Sequence, residues 1–161
     1  MSIITSFLGE LDHEARTTTR VLERVPQDRL EWTPHVKSMS LGKLAWHIAG
    51  LPQRIEQMLK AGVFDVTTAR PAEAQPSFVD AYQANTAALR AYLESLSDEE
   101  LKETFTMKRG EQTMMQMPKL AVIRTILMNH TYHHRGQLSV YLRLLDVPVP
   151  AVYGTSADEG M

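Results

Sequence analysis

The sequence contains no cysteine among its 161 residues. This absence excludes disulfide bonds, thiolate metal ligands, zinc fingers and cysteine nucleophiles. The chain also lacks any apolar run near the roughly 18 residues of a membrane-spanning helix. Its first ten residues lack the basic start of a signal peptide. We therefore expect a cytoplasmic protein with no membrane partner.

A strongly basic composition is also missing. Lysine and arginine number 17 against 19 acidic residues, which gives a formal net charge of −2. Nucleic-acid binding needs positive charge opposite the phosphates, so we expect no nucleic-acid partner. The sequence has no glycine-rich phosphate loop, no Gly-x-Ser-x-Gly elbow and no linker that would divide it. Its length predicts a single domain spanning residues 1–161.

Four segments do have apolar residues spaced three and four apart, which is the period of an amphipathic helix. We predict helices from Ser2 to about Val25, from an N-cap at Ser40 to about Lys60, from an N-cap at Ser77 to Leu96, and from Pro118 to Leu145. Between them lie loops at 26–39, 63–76 and 103–117, and the last loop has the features of a turn or a short hairpin. These features predict an all-α four-helix bundle with long connections, and they leave the order of its helices open.

Three histidines occupy apolar positions of these predicted helices. His130 and His134 are four residues apart, which places them about 40° apart on one helix face. His47 lies three residues after Leu44 and four before Leu51 on the second helix. We therefore expect all three imidazoles to point into the bundle interior, where unpartnered rings would each cost about 2 kcal/mol or more. A shared divalent cation would satisfy them, so we predict His47, His130 and His134 as metal ligands.

The alternative is that each imidazole is a core residue with a backbone or water partner. A lone histidine favours that interpretation, whereas three converging histidines favour a cation. His133 lies at the border of the apolar stripe, where we expect a contact to a ligand histidine or no role, and His13 and His35 fall outside any cluster. Gln137 lies one turn beyond His134, where it could contact a ligand or orient an imidazole. Ordinary hydrogen bonding is the commoner role for such a glutamine.

The histidine spacing does not match two common metal classes. Zincins have a glutamate directly after the first histidine, but residues 131–133 of this chain are Thr-Tyr-His. Di-iron bundles need Glu-x-x-His on two helices, which is absent here. The five methionines from Met107 to Met128 are irregularly spaced, so we interpret them as packing residues rather than soft-metal ligands. The sequence identifies no general base.

Three segments resemble the DinB family. They read SMSLGKLAWH at 38–47, NHTYHHRGQL at 129–138 and VYG at 152–154. The resemblance implies a DinB-like four-helix bundle, metal ligands at His47, His130 and His134, and assembly as a homodimer. Related members include thiol-dependent transferases and isomerases that use bacillithiol or mycothiol.

Three imidazole ligands leave a coordination position open, as in catalytic rather than structural zinc sites. Imidazole suits several metals, of which we favour zinc or nickel. Three functions remain open. The first is a metal-dependent transferase that activates a low-molecular-weight thiol as co-substrate, and the second is a metal-dependent hydrolase using metal-bound hydroxide. The third is a non-catalytic, stress-associated metal-binding or interaction protein. Both enzyme functions imply a small-molecule substrate.

Overall fold

Short sequence signals define the ends of the helices. Ser40 caps the second helix, because its Oγ accepts a hydrogen bond from the amide of Lys43. Gly62 ends the same helix with a positive φ of 66°, a conformation that disfavours side chains. Ser77 caps the third helix through the amide of Asp80. The N-caps predicted at Ser40 and Ser77 are confirmed.

The computed structural model describes residues 3–68 and 77–160. Its helices are α1 (Ile3–Leu22), α2 (Leu41–Ala61), α3 (Phe78–Glu94), α4 (Lys119–Val122) and α5 (His130–Leu144), with a π-helical segment (Ile123–Asn129) that joins α4 to α5. Its strands are β1 (Val63–Asp65), β2 (Thr104–Arg109) and β3 (Gln112–Pro118), and 3-10 turns occur at Gln27–Arg29 and Glu100–Lys102. The predicted helix start at Ser2 and the end of the predicted loop at Pro76 lie outside the described residues.

The long helices alternate around the bundle. Helix α1 packs against α3 and α5, and α2 packs against the same two helices. Helices α1 and α2 therefore lie diagonally opposite each other, joined by the long connection through residues 23–40. The order of the long helices around the bundle, which the sequence left open, is therefore α1, α3, α2 and α5. No helix among the described residues has the length and apolar character needed to cross a membrane.

A small sheet corrects the all-α prediction. Strands β2 and β3 form the hairpin expected at 103–117, and Gly110 in its turn has a φ of +57°. Strand β1 joins β2 in parallel, with Phe64 opposite Met107. Residues 63–65 fall within the loop predicted at 63–76, because three residues are too few to show the period of a strand. Their pairing depends on a partner more than 40 residues away.

The bundle core consists of two buried clusters. The first contains Ile4, Leu8, Leu11, Ile55, Met58, Leu59, Leu89, Leu93, Leu96, Leu101, Phe105, Val122, Ile123, Leu127 and Met128. The second contains Val21, Leu22, Val25, Leu41, Leu44, Ala45, Ile48, Ala49, Phe78, Ala81, Tyr82, Leu138 and Leu142. On α2, His47 lies between Leu44 of the second cluster and Ile55 of the first. The histidine therefore lies near the level at which the two clusters meet.

The π-helical segment shifts the buried face of the last helix by one residue. A regular helix continued from Ile123 and Leu127 would bury positions 130, 134, 137 and 141. The buried positions of α5 include 131, 135, 138 and 142 instead, together with His134. One turn of i→i+5 bonding holds about one residue more than an α turn, which accounts for the shift. His130 and His134 consequently lie along one border of the buried face rather than at its centre.

Candidate metal centre

The structure brings the three predicted ligands together. The Nε2 atom of His130 lies 3.2 Å from Nε2 of His47 and 2.6 Å from Nε2 of His134. The ligand atoms of all three imidazoles lie within 4.8 Å of one another. Two nitrogens bound to one tetrahedral zinc are about 3.3 Å apart, given Zn–N distances of roughly 2.0–2.1 Å. The separation between the Nε2 atoms of His47 and His130 is close to that value. The separation between the Nε2 atoms of His130 and His134 is shorter.

Gln137 determines which nitrogen of His134 carries a proton. Its amide oxygen Oε1 lies 2.7 Å from Nδ1 of His134 and accepts a hydrogen bond from it. Because a neutral imidazole carries a single N–H, the Nε2 atom of His134 keeps its lone pair. That lone pair faces the other two histidines. Of the three roles considered for Gln137, its hydrogen bond to His134 fits the orienting one rather than the ordinary hydrogen bonding that was the commoner expectation.

Protons alone do not satisfy this cluster. With His134 Nε2 as an acceptor, its contact to His130 needs a proton on His130 Nε2. That proton removes the lone pair that the contact from His47 would need. The two short contacts therefore cannot each have their own proton. Three lone pairs directed at one cation satisfy all three nitrogens, so the donor set fits a divalent metal that prefers imidazole.

The cluster favours neutral imidazoles. Burial lowers the pKa of His47 to about 4, with further lowering by His134, His130 and Arg54. Burial likewise lowers the pKa of His130 to about 4, with contributions from His134, His133 and Arg54. The pKa of His134 is also lowered, chiefly by burial. Neutral rings are the form that binds metal, so few protons compete with a cation at neutral pH.

The site is partly exposed to solvent. His134 is 8% exposed, whereas His47 and His130 are half-buried. The prediction that all three imidazoles point into the bundle interior is therefore corrected: His134 is buried, whereas His47 and His130 lie at the edge of the core. For His130, the turn that the π-helical segment gives to α5 accounts for this position.

Proline interrupts α2 one turn after His47. Pro52 has no N–H, so it cannot bond the carbonyl of Ile48 as a regular helix residue would. Nearby, the side-chain amide of Asn85 on α3 donates to the carbonyl of Ala49 at 3.0 Å. Both helices that hold the histidines thus depart from regular α-helical bonding close to them. Such departures are frequent at functional sites.

A buried ion pair fixes the rotation of α5. Arg135 directly follows His134, and its Nη1 atom lies 2.6 Å from Oε2 of Glu14 on α1, with the two side chains 2% and 9% exposed. Tyr153 accepts a hydrogen bond from Arg135 and donates one to Glu14 at 3.0 Å. Arg135 also donates to Thr18 at 3.1 Å. This network could not be predicted from the helical spacing, because position 135 lies about 100° from His134 and away from the apolar stripe.

The remaining histidines lie outside the cluster of ligand atoms. The ring of His133 is exposed and packs edge-on to His134, with the ring centroids 4.9 Å apart. This is the contact to a ligand histidine that the sequence suggested. His13 and His35 are exposed, as expected. Among the described residues, the group of histidine and carboxylate side chains that could hold a metal ion consists of His47, His130 and His134.

The chain belongs to the DinB family, whose sequence profile matches residues 1–160. It is similar to YrdA of Bacillus subtilis (strain 168), a protein described as uncharacterized. The two are 29% identical over 160 residues, which cover 95% of this chain and 89% of YrdA. The resemblance seen in the three sequence segments is therefore confirmed.

Two crystal structures of DinB-like proteins have the same fold. One is YjoA of Bacillus subtilis, with a TM-score of 0.74 and 21% identity over 91% of this chain and 97% of that one. The other comes from Bacillus cereus ATCC 10987, with a TM-score of 0.74 and 24% identity over 94% and 98% of the two chains. The chain therefore has the DinB-like fold, and its three-histidine cluster fits a metal-binding member of the family.

Proposed function

We propose that this protein is a metal-dependent enzyme that activates a low-molecular-weight thiol for transfer to a small-molecule substrate. His47, His130 and His134 would hold one divalent ion, and among the metals that imidazole suits we favour zinc or nickel. When bound, such an ion acts as a Lewis acid that stabilises the thiolate form of a thiol. The chain itself has no cysteine, so the nucleophilic sulfur would have to come from a co-substrate.

One observation supports this proposal most directly. Gln137 holds His134 in the tautomer whose Nε2 lone pair faces the site, and the Nε2 atoms of His47 and His130 converge on the same point. Three protein ligands are also the number found in catalytic zinc sites, which keep a place for substrate. The half-buried position of His47 and His130 leaves the cluster accessible from solvent.

The charges around the cluster favour a thiol over water as the nucleophile. Hydrolases of this kind commonly use a carboxylate as general base. Among the described residues, no carboxylate is one of the groups that shift the pKa values of His47, His130 or His134. A thiol has a pKa near 8.5 and needs less help to lose its proton than water does.

The test is a thiol-transfer assay on the zinc- or nickel-loaded protein. Bacillithiol, cysteine or glutathione is offered with 1-chloro-2,4-dinitrobenzene, in which the sulfur forms the new S–C bond while chloride and the thiol proton leave. We expect turnover that requires both metal and thiol and that is absent from the His134→Ala variant. The His35→Ala variant, altered at an exposed histidine, serves as the matched control.

Two other results would replace the proposal. Ester or amide hydrolysis that needs metal but is unchanged by added thiol would identify a hydrolase. Stoichiometric metal binding without turnover of either kind, across a panel of electrophiles and esters, would identify a metal-binding protein without catalysis.

A further inference from the structure

Arg54 lies on the same face of α2 as His47. The two residues are seven positions apart, which is about 20° from exact alignment and about 10 Å along the helix axis. Side chains of an α-helix lean toward its N-terminus, so the long Arg54 side chain leans toward the turn that holds His47. The guanidinium is close enough to lower the pKa values of both His47 and His130.

Arg54 is half-buried and has no carboxylate partner among the described residues. Several other arginines pair with carboxylates, namely Arg20, Arg24, Arg29, Arg90, Arg124, Arg135 and Arg143. Within residues 3–68 and 77–160, Arg54 has neither an ion pair nor a hydrogen bond. Partial burial of an unpaired charge is unfavourable, which indicates that this side chain serves something other than stability.

The permanent charge beside the cluster is positive. Besides the rings of the cluster and His133, Arg54 is the group whose charge lowers the pKa values of His47 and His130. With neutral imidazoles, a divalent cation and Arg54 together would bring about three positive charges, and no carboxylate of the described residues acts there to balance them. A bound anion would offset this charge.

We propose that Arg54 binds an anionic oxygen group of the substrate, a carboxylate or a phosphate, beside the three-histidine site. The inference rests on the proposed metal-dependent function and adds the substrate class to it. A guanidinium suits this role because its planar fork matches the two oxygens of a carboxylate or phosphate. Arg54 is thereby a specificity-determining residue: it would select anionic substrates over neutral ones of the same shape.

The test uses cobalt as the metal and sulfate as the oxyanion, because cobalt reports its ligands in the visible spectrum. Cobalt and then sulfate are titrated into wild type, Arg54→Gln and Arg54→Lys, with calorimetry as a second readout. Arg16→Gln is the matched control, since Arg16 is an exposed arginine on α1 for which the described residues provide no partner. Circular dichroism confirms that each variant is folded.

We expect Arg54→Gln to weaken sulfate binding about tenfold or more, because the variant loses a charge-assisted hydrogen bond to the anion. Arg54→Lys should retain part of the affinity, and Arg16→Gln should behave as wild type. The same Arg54→Gln change should tighten cobalt binding several-fold, because it removes a like charge next to the cation. A residue with a purely structural role would produce neither effect.

The outcomes separate this inference from the proposed function. Equal sulfate affinity in wild type and Arg54→Gln, or no sulfate binding by the cobalt-loaded wild type, would overturn the inference while leaving the metal site intact. Failure of the wild type to bind cobalt, zinc or nickel would overturn the proposed function. In that case sulfate is titrated into metal-free wild type and metal-free Arg54→Gln. Sulfate binding that is present in wild type and lost in Arg54→Gln supports the role of Arg54, and any other result overturns it.

Discussion

The side-chain oxygen of Gln137 lies 2.7 Å from Nδ1 of His134, one helical turn away on α5. This contact is local, since the two residues are three positions apart, yet it decides the chemistry of a site built from two helices. It orients the ring, fixes its tautomer and leaves Nε2 free toward His47 and His130. Partners of this kind commonly raise the affinity of the metal site they support.

The substitution Gln137→Ala tests this role. We expect metal affinity to fall about 10- to 100-fold, because His134 loses the acceptor that holds its ring and its tautomer. The free energy of unfolding of the metal-free protein should change little, since Gln137 lies at the edge of the core. Competition with a chromophoric chelator measures the affinity. Gln57→Ala, at an exposed glutamine of α2, is the control; equal losses in both variants would contradict the role.

The buried ion pair between Arg135 and Glu14 should dominate the packing of α5 on α1. Glu14→Gln leaves the Arg135 charge buried without its counter-ion, so we expect a loss of about 3–5 kcal/mol in the free energy of unfolding. Urea denaturation followed by circular dichroism measures it. Lys102→Gln, which removes an exposed ion pair with Glu99, should have a much smaller effect.

If the Glu14→Gln protein does not fold, Tyr153→Phe provides a milder test of the same network. It removes the hydroxyl that links Arg135 and Glu14 and retains the ring. We expect a measurable decrease in the free energy of unfolding from the lost hydrogen bonds. A Tyr153→Phe variant as stable as wild type would show that the Tyr153 hydroxyl does not support the ion pair between Arg135 and Glu14.

A second ion pair between α1 and the π-helical segment predicts a pH dependence. Bidentate hydrogen bonds from Arg124, aided by the Tyr132 hydroxyl, lower the pKa of Glu10. A carboxylate whose pKa is lowered by folding stabilises the native state above its ordinary pKa, and the stabilisation is lost as the pH falls through the lowered value. Wild type should therefore lose more stability than Glu10→Gln between pH 7 and pH 3.

Urea unfolding of both proteins across this range checks the prediction. The difference in free energy of unfolding should be largest near neutral pH and should shrink below the ordinary glutamate pKa of about 4.3. A difference that is constant with pH would show that the pair contributes nothing through the charge of Glu10.

Helix ends could be predicted from the sequence because they depend on neighbouring residues. Ser40, Gly62 and Ser77 each satisfy or accommodate backbone groups within one helical turn. The parallel strand β1 could not be predicted, since its three residues acquire a strand conformation only through pairing with β2. The all-α expectation failed at that point.

The clustering of the three histidines was predicted from the sequence, but their position relative to the core was not. Helical spacing and the family resemblance selected His47, His130 and His134, and the structure brings them together. The π-helical segment could not be predicted, because its apolar residues also fit a regular helix. For that reason the histidines were expected in the core and the burial of Arg135 was not predicted.

Metal content of the purified protein tests the central proposal most directly. Untagged wild type, purified without chelator and exposed to zinc and nickel, is compared with His134→Ala and with the control His35→Ala by elemental analysis. We predict about one zinc or nickel per chain in wild type and in His35→Ala, and loss of that metal in a folded His134→Ala protein. Wild type that holds neither metal after exposure to both would contradict the three-histidine metal site.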